Sequence, residues 1–294
     1  MKERSARPIA IDGLGPVQIL SMGPYHACAL AEGGGARCWG YNDGGQLGDG
    51  TSEKRAAPVA PVGLPPLAQI AISQSSVDPH TCALDKTGSV WCWGSNQKGA
   101  ANPSEKRPAA PTPATIAGIS GASQVASGDG ASCALVEGSV LCWGTMLGPK
   151  EAATRLVKPT RIAGLDKVVE IAMGSSTYCA RLADRSVTCW GRLRSGERRT
   201  MELGGPVKSI AIAGSNLLAV LDTGSAVTAW IEDAGKPAPI PLPQPLSLSC
   251  ATYHCCALDQ NHRAVCWGSN GNGQLGNPDQ GFGGESETPS PVSL

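Results

Sequence analysis

The stretch His80-Thr81-Cys82-Ala83-Leu84-Asp85-Lys86-Thr87-Gly88-Ser89-Val90-Trp91-Cys92-Trp93-Gly94 decides the fold, because the chain repeats it. An apolar run, a turn on Asp85-Lys86-Thr87-Gly88 and a Val-x-Cys-Trp run read as two antiparallel strands joined in a hairpin. The phrase recurs at His26–Leu30 with Cys38-Trp39-Gly40, Ser132–Leu135 with Cys142-Trp143-Gly144, Tyr178–Ala180 with Cys189-Trp190-Gly191, and His254–Leu258 with Cys266-Trp267-Gly268. A sixth, degenerate copy runs from Leu218-Ala219-Val220 to Ala229-Trp230. Successive tryptophans at 39, 93, 143, 190, 230 and 267 lie 54, 50, 47, 40 and 37 residues apart. These are blade-sized periods. The phrase keeps its length while the segment after Trp-Gly shrinks, so the variation belongs to loops.

An alternating segment precedes each hairpin, as in Val169–Met173, Ile210–Ile212 and Leu246–Leu248, and reads as a half-buried strand. Segments such as Ala57-Pro58-Val59, Pro159–Ile162 and Pro239–Pro241 supply a fourth strand, at an outer edge that tolerates proline. Four strands repeated six times predict an all-β protein: a β-propeller of about six four-stranded blades forming one domain over 1–294. The blade cores fall near 17–48, 68–99, 123–148, 168–196, 207–232 and 246–276. Segments 7–11 and 289–293 both look like outer strands, so the termini are expected to share one blade and shut the ring.

Gly 38 and Pro 23 against Phe 1 and Tyr 4 suit many turns around a Val, Ile, Leu, Ala and Trp core. Lys+Arg 24 balance Asp+Glu 24, so the basic excess that nucleic-acid binding needs is missing. No run of 18 apolar residues spans a bilayer, and Met1-Lys2-Glu3-Arg4 leads into no apolar signal region.

The loops after Trp-Gly carry a resemblance. Asn42-Asp43-Gly44-Gly45-Gln46-Leu47-Gly48 and Asn270-Gly271-Asn272-Gly273-Gln274-Leu275-Gly276 resemble the loop signature of the regulator of chromosome condensation repeat family, in its bacterial, cysteine-rich branch. In the middle units it has decayed to Asn96-Gln97-Lys98-Gly99-Ala100 and Arg192-Leu193-Arg194-Ser195-Gly196. That family's best-known members have seven blades, which keeps seven as the alternative to six. The resemblance implies protein partners, such as small GTPases or, for one relative, a secreted β-lactamase that it inhibits. The Gly-Trp-Arg-His-Thr phrase of a light-sensing plant member is absent.

Ten of the twelve cysteines occupy two slots in five units: Cys28/Cys38, Cys82/Cys92, Cys133/Cys142, Cys179/Cys189 and Cys256/Cys266. In a hairpin these slots oppose each other, within the reach of a disulfide. The fifth unit, read with Ala219 and Ala229 in the two slots, has lost both together, which favours pairing over reduced thiols packed as small hydrophobes. No Cys-x-x-Cys occurs to suggest zinc. Cys250 and Cys255 stand outside the pattern and either pair together or stay free. Disulfides place the protein outside the cell, in a periplasm or on a cell surface, as a trimmed mature chain. Reduced thiols would leave it cytoplasmic.

The recurring His26, His80 and His254 are expected to satisfy backbone groups within their own blades rather than to ring a metal. The recurring tryptophans are expected to pack between blades. Hydrolase and phosphate-binding motifs are missing, so no catalytic, cofactor or metal site is expected and the protein reads as a non-enzyme. Arg192, Arg194, Arg198 and Arg199 form the one basic cluster.

Up-and-down strand order puts the variable loops at one end. Tyr25, Asp43, Asp78, Lys98, Asp129, Met146, Arg192, Arg194, Tyr253 and Asn272 are expected to decorate it, with Lys86 and Asp184 in turns at the other end. The expected function is a monomeric protein-binding scaffold. The alternatives are an exchange factor for a small GTPase, an inhibitor of a secreted enzyme and, with less support, a carbohydrate-binding or enzymatic propeller.

Overall fold

Blades two, four, five and six carry an aspartate where their second strand turns into the third: Asp85, Asp184, Asp222 and Asp259. In the second unit Asp85 Oδ1 accepts the N–H groups of Thr87 and Ser89 and the Thr87 hydroxyl, and Asp259 repeats the arrangement with Asn261 and Arg263. The side chain takes up donors that the tight turn would otherwise strand. The computed structural model describes residues 8–147, 153–193, 198–231, 236–242, 244–280 and 283–293. In its first blade β1 (Val17–Met22), β2 (His26–Ala31), β3 (Ala36–Gly40) and β4 (Arg55–Val59) lie side by side in chain order. The second blade repeats this with β5 (Leu67–Ile72), β6 (His80–Asp85), β7 (Val90–Ser95) and β8 (Ala109–Thr115). Four further antiparallel sheets of the same order occupy 122–161, 168–200, 207–240 and 247–291, making a six-bladed propeller. Among the described residues no helix is long and apolar enough to cross a membrane.

The cysteine slots face each other as the spacing predicts. Cys28 opposes Cys38, Cys82 opposes Cys92, and the other three pairs follow, with Cα atoms 4.0–4.1 Å apart and the sulfurs bonded. Cys250 and Cys255, left open by the sequence, face each other across the first hairpin of blade six and form a sixth disulfide.

The fifth unit corrects the sequence reading. In the other five blades the residue opposite the start of the second strand is the glycine of Trp-Gly, as in His80↔Gly94, Ala131↔Gly144 and Thr177↔Gly191. In blade five that position holds Trp230, opposite Asn216. The cysteine slots there are therefore Leu218 and Thr228, not Ala219 and Ala229, and the tryptophan slot is filled by Ala229. Trp230 is thrown outward and half-exposed instead of packing between blades. A glycine suits the position because a Cβ on Gly94 (φ 111°) would stand 2.8 Å from the His80 Cα.

Blades stack through one recurring complementarity. The disulfide face of blade one (Cys28, Leu30, Cys38) packs on Leu67, Ile70, Ile72 and Trp93 of blade two, and four more apolar clusters repeat this at each junction through blades five and six. Innermost strands are also stitched by side chains. The Gln69 amide accepts the Val125 N–H (2.9 Å) and donates to its C=O (3.1 Å), and Gln124 does the same to Ile171.

Among the described residues no apolar cluster joins blade six to blade one. Val17, Leu20 and Met22 hold the positions of Leu67, Ile70 and Ile72, yet Leu20 is 51% and Met22 53% exposed where Ile70 and Ile72 are 4%. Leu258, on the facing side of blade six, is also exposed. Among the described residues the termini do not share a blade as expected. Blade six is completed by Glu285–Pro291 from its own repeat, and residues 8–11 form no strand; Arg7 lies outside the described residues. Leu20→Gln should accordingly leave the thermal midpoint within about 2 °C of the parent. Ile70→Gln, which buries an amide without partners, should cost about 3 kcal/mol or more in denaturant titration. Equal losses would mean that blade one's free face is covered in solution.

Candidate protein-binding face

The loops after Trp-Gly are held by their first asparagine. Asn42 Oδ1 accepts the Leu47 N–H, and its amide donates to Asp49 Oδ1 and to the carbonyls of Thr51 and Glu53. Asn96 likewise donates to the carbonyls of Asn102, Glu105 and Arg107. Leu47 and Leu275 are fully buried beneath their loops. Burial alone would raise the Asp49 carboxyl, but hydrogen bonds from Thr51, Arg55 and Asn42 hold it below the ordinary range. The signature thus builds a fixed platform at one end of the propeller.

Two of the three register histidines work between blades, which corrects the expectation that they serve only their own. His26 Nε2 meets Thr81 Oγ1 of blade two at 2.8 Å, and His80 Nε2 meets Ser132 Oγ of blade three at 2.9 Å. Only His80 Nδ1 reaches its own blade, at the Asp78 carbonyl. Burial, with the neighbouring His80 second, pushes His26 down to about 3, and burial lowers His80 as well. Both are neutral packing groups at pH 7. Among the described residues no group of three His, Cys, Asp or Glu side chains could hold a metal.

The residues expected on the binding face part into three sets. Asp78 and Met146 are buried. The Asp78 carboxylate bonds Ser95 Oγ and accepts the N–H groups of Gln97 and Lys98, so it anchors a loop and offers nothing to a partner. Lys98 and Asp129 form a half-buried ion pair of 2.7 Å that links blades two and three. Tyr25, Asp43, Arg192, Tyr253 and Asn272 are exposed. Arg194 lies outside the described residues. Of the basic cluster, Arg198 is committed to the carbonyls of Ala163 and Gly164 at 2.7 and 2.8 Å.

What the structure gathers is a cavity of about 590 Å³ between blades one and two, walled by Tyr25, Tyr41, Asp43, Val77 and Gln97. The rings of Tyr25 and Tyr41 meet edge-on at 5.5 Å. Tyr41 is 52% and Val77 67% exposed. Sequence reasoning missed both, although Tyr41 directly follows Trp39-Gly40 and Val77 lies among seven residues joining β5 to β6, where blade one has three between β1 and β2. Exposed aromatics are what such a reading could have searched for.

The fold is a disulfide-stapled propeller, and its loops build a candidate surface at one end. The model described as the Regulator of chromosome condensation (RCC1) repeat matches residues 17–46, 76–100 and 247–274. These three stretches carry the regulator of chromosome condensation repeat. It is 30% identical to the human E3 ubiquitin-protein ligase HERC2 over 181 residues, which take in 58% of this chain and 4% of that protein. It therefore spans a small part of that relative. Its fold is similar to that of human WBSCR16 (TM-score 0.82, 20% identity, 98% of this chain and 84% of that one). It is also similar to yeast RCC1 (Prp20), solved bound to Kap60 (TM-score 0.79, 22% identity, 95% and 75%).

Proposed function

We propose that the protein is a non-catalytic scaffold, one domain over 1–294, that acts as a monomer outside the cytosol and holds a protein partner on its loop face. The observation that carries this reading is the groove of Tyr25, Tyr41 and Val77 beside Asp43. Tyr41 is kept in water there beside the loop that Asn42 holds fixed, and the Val77 N–H is bonded to Ser75 Oγ. A pre-organised aromatic patch loses little entropy on docking. Kap60 on the yeast relative supports the class of partner without naming it. Six disulfides support an oxidising location.

Tyr41 replaced by p-benzoylphenylalanine should cross-link one discrete protein on irradiation in cells of the source organism, and the same group at Lys86 should not. With that partner purified, Tyr41→Ala combined with Val77→Ser should weaken binding about tenfold or more while the melting temperature stays within about 2 °C. Identical cross-linking patterns from both ends would remove the assignment.

A further inference from the structure

At the first two junctions the loop after Trp-Gly lays a carbonyl across the next blade. The Gln46 C=O accepts Trp93 Nε1 and Thr81 Oγ1, both at 2.9 Å. The Ala100 C=O accepts Trp143 Nε1 at 2.8 Å and Ser132 Oγ at 3.5 Å. Each carbonyl caps a fully buried indole, so these junctions are filled by the chain's own backbone.

Among the described residues nothing supplies this filling at the junction of blades five and six. Residues 231–237 replace the long loop 41–54 and carry no Gly-Gln-Leu-Gly. Among the described residues nothing accepts a hydrogen bond from Trp267 Nε1, although Trp267 is only 9% exposed. The disulfide that would have stood behind it is replaced by Leu218 and Thr228. What remains is a cavity of about 500 Å³ lined by Leu218, Ile240, Tyr253, Trp267, Glu285 and Glu287, among other residues. Trp190 Nε1 at the junction of blades three and four is also buried without an acceptor, but there the fully buried Tyr178 ring packs 5.9 Å from the indole. At blade six that position is Cys255, drawn into a disulfide with Cys250.

Charge selects the guest. Two carboxylates line the cavity and no Lys or Arg does, while burial lowers the pKa of the lining His254. Tyr253 and Trp267 add aromatic faces that attract cations. We propose that this cavity binds a peptide segment of a partner carrying Lys or Arg. A carbonyl of the guest accepts the Trp267 Nε1–H where Gln46 and Ala100 do so at other junctions, and its cationic side chain lies against Glu285 and Glu287. This site is separate from the tyrosine groove, and either can fail alone.

The probe is N-acetyl-arginine N-methylamide, titrated into the 15N-labelled protein. The indole cross-peak that Trp267→Phe removes should shift and saturate, with the other indole peaks unmoved. N-acetyl-glutamate N-methylamide should leave it in place. Glu285→Gln with Glu287→Gln should weaken the arginine probe about fivefold or more, and Leu218→Trp, which fills the cavity, should abolish the shift. An unmoved Trp267 peak overturns the proposal. So does an equal response to n-butylammonium, which has no carbonyl, because the site would then be a plain cation hole.

Discussion

Protein whose six disulfides have been reduced, and kept reduced, is expected to lose its cooperative thermal transition at physiological temperature. Five of the bridges join residues 9 or 10 apart and the sixth residues 5 apart. In the chain-entropy account each contributes about 2–3 kcal/mol by restricting the unfolded state. Six of them together match or exceed the roughly 5–15 kcal/mol by which a typical domain is stable. The native protein should nonetheless resist reductant, because Cys28, Cys38, Cys82, Cys92, Cys142, Cys179 and Cys189 have no exposed surface. Blade six should yield first, since Cys250 and Cys256 are partly exposed. Alkylation without reductant, followed by mass spectrometry, should find no modified cysteine, and calorimetry with and without reductant should separate a melting protein from one with no transition. A reduced protein that melts where the oxidised one does would show that blade packing alone holds the propeller.

Acid should weaken the junctions before it weakens the turns. His26 and His80 are buried between blades with their pKa values lowered, so the unfolded chain takes up protons that the folded chain refuses. Their stabilising share is complete above the ordinary histidine value of 6.5 and is lost as pH falls from there toward the folded value, about 3 for His26. At 1.36 kcal/mol per unit, His26 alone sets a scale of up to about 5 kcal/mol. The groups facing His80 are Asp78 and Asp129, which raise it, and Lys98, which lowers it. Carboxylates act lower. Burial would raise Asp85, but hydrogen bonds from Thr87, Trp91 and Ser89 bring it down to about 2, so its share is kept above 3.8 and lost only below that. Urea midpoints should therefore fall steadily between about pH 6.5 and 4. In His26→Gln, which keeps a donor for Thr81, that slope should shrink while the loss below pH 4 persists. An unchanged slope would assign the acid sensitivity elsewhere.

The repeat phrase was enough for the architecture because its signals are local. Alternation, the short turns such as Asp85-Lys86-Thr87-Gly88 and the paired cysteine slots each act within one hairpin, and the sheet order follows from short connections. The fifth unit shows where local reading stops. Matching Ala229-Trp230 to Cys-Trp looked natural in the string, yet pairing with the second strand sets the register, and it moved the tryptophan by one residue. A one-residue move reverses the face of every side chain, so Trp230 left the junction of blades four and five, where Ala229 packs instead, and Leu218 and Thr228 came to face blade six beside Trp267.

The candidate face was half legible. Strand order alone placed Tyr25, Asp43, Tyr253 and Asn272 at the variable end, but Asp78 and Met146 share that end and are buried. Whether a loop side chain faces water depends on which backbone donors need an acceptor, and Asp78 is consumed by Ser95, Gln97 and Lys98.

By itself, then, the sequence determined the four-stranded unit, its sixfold copying and its internal disulfides, since all of these are contacts between residues close along the chain. Only the tertiary structure decided which junctions are filled, that histidines bridge neighbouring blades, and that Leu20 and Met22 lie bare while Ile70 and Ile72 do not. Those outcomes depend on what one blade presents to the next, and residues some fifty positions apart cannot be seen to meet until the blades are stacked.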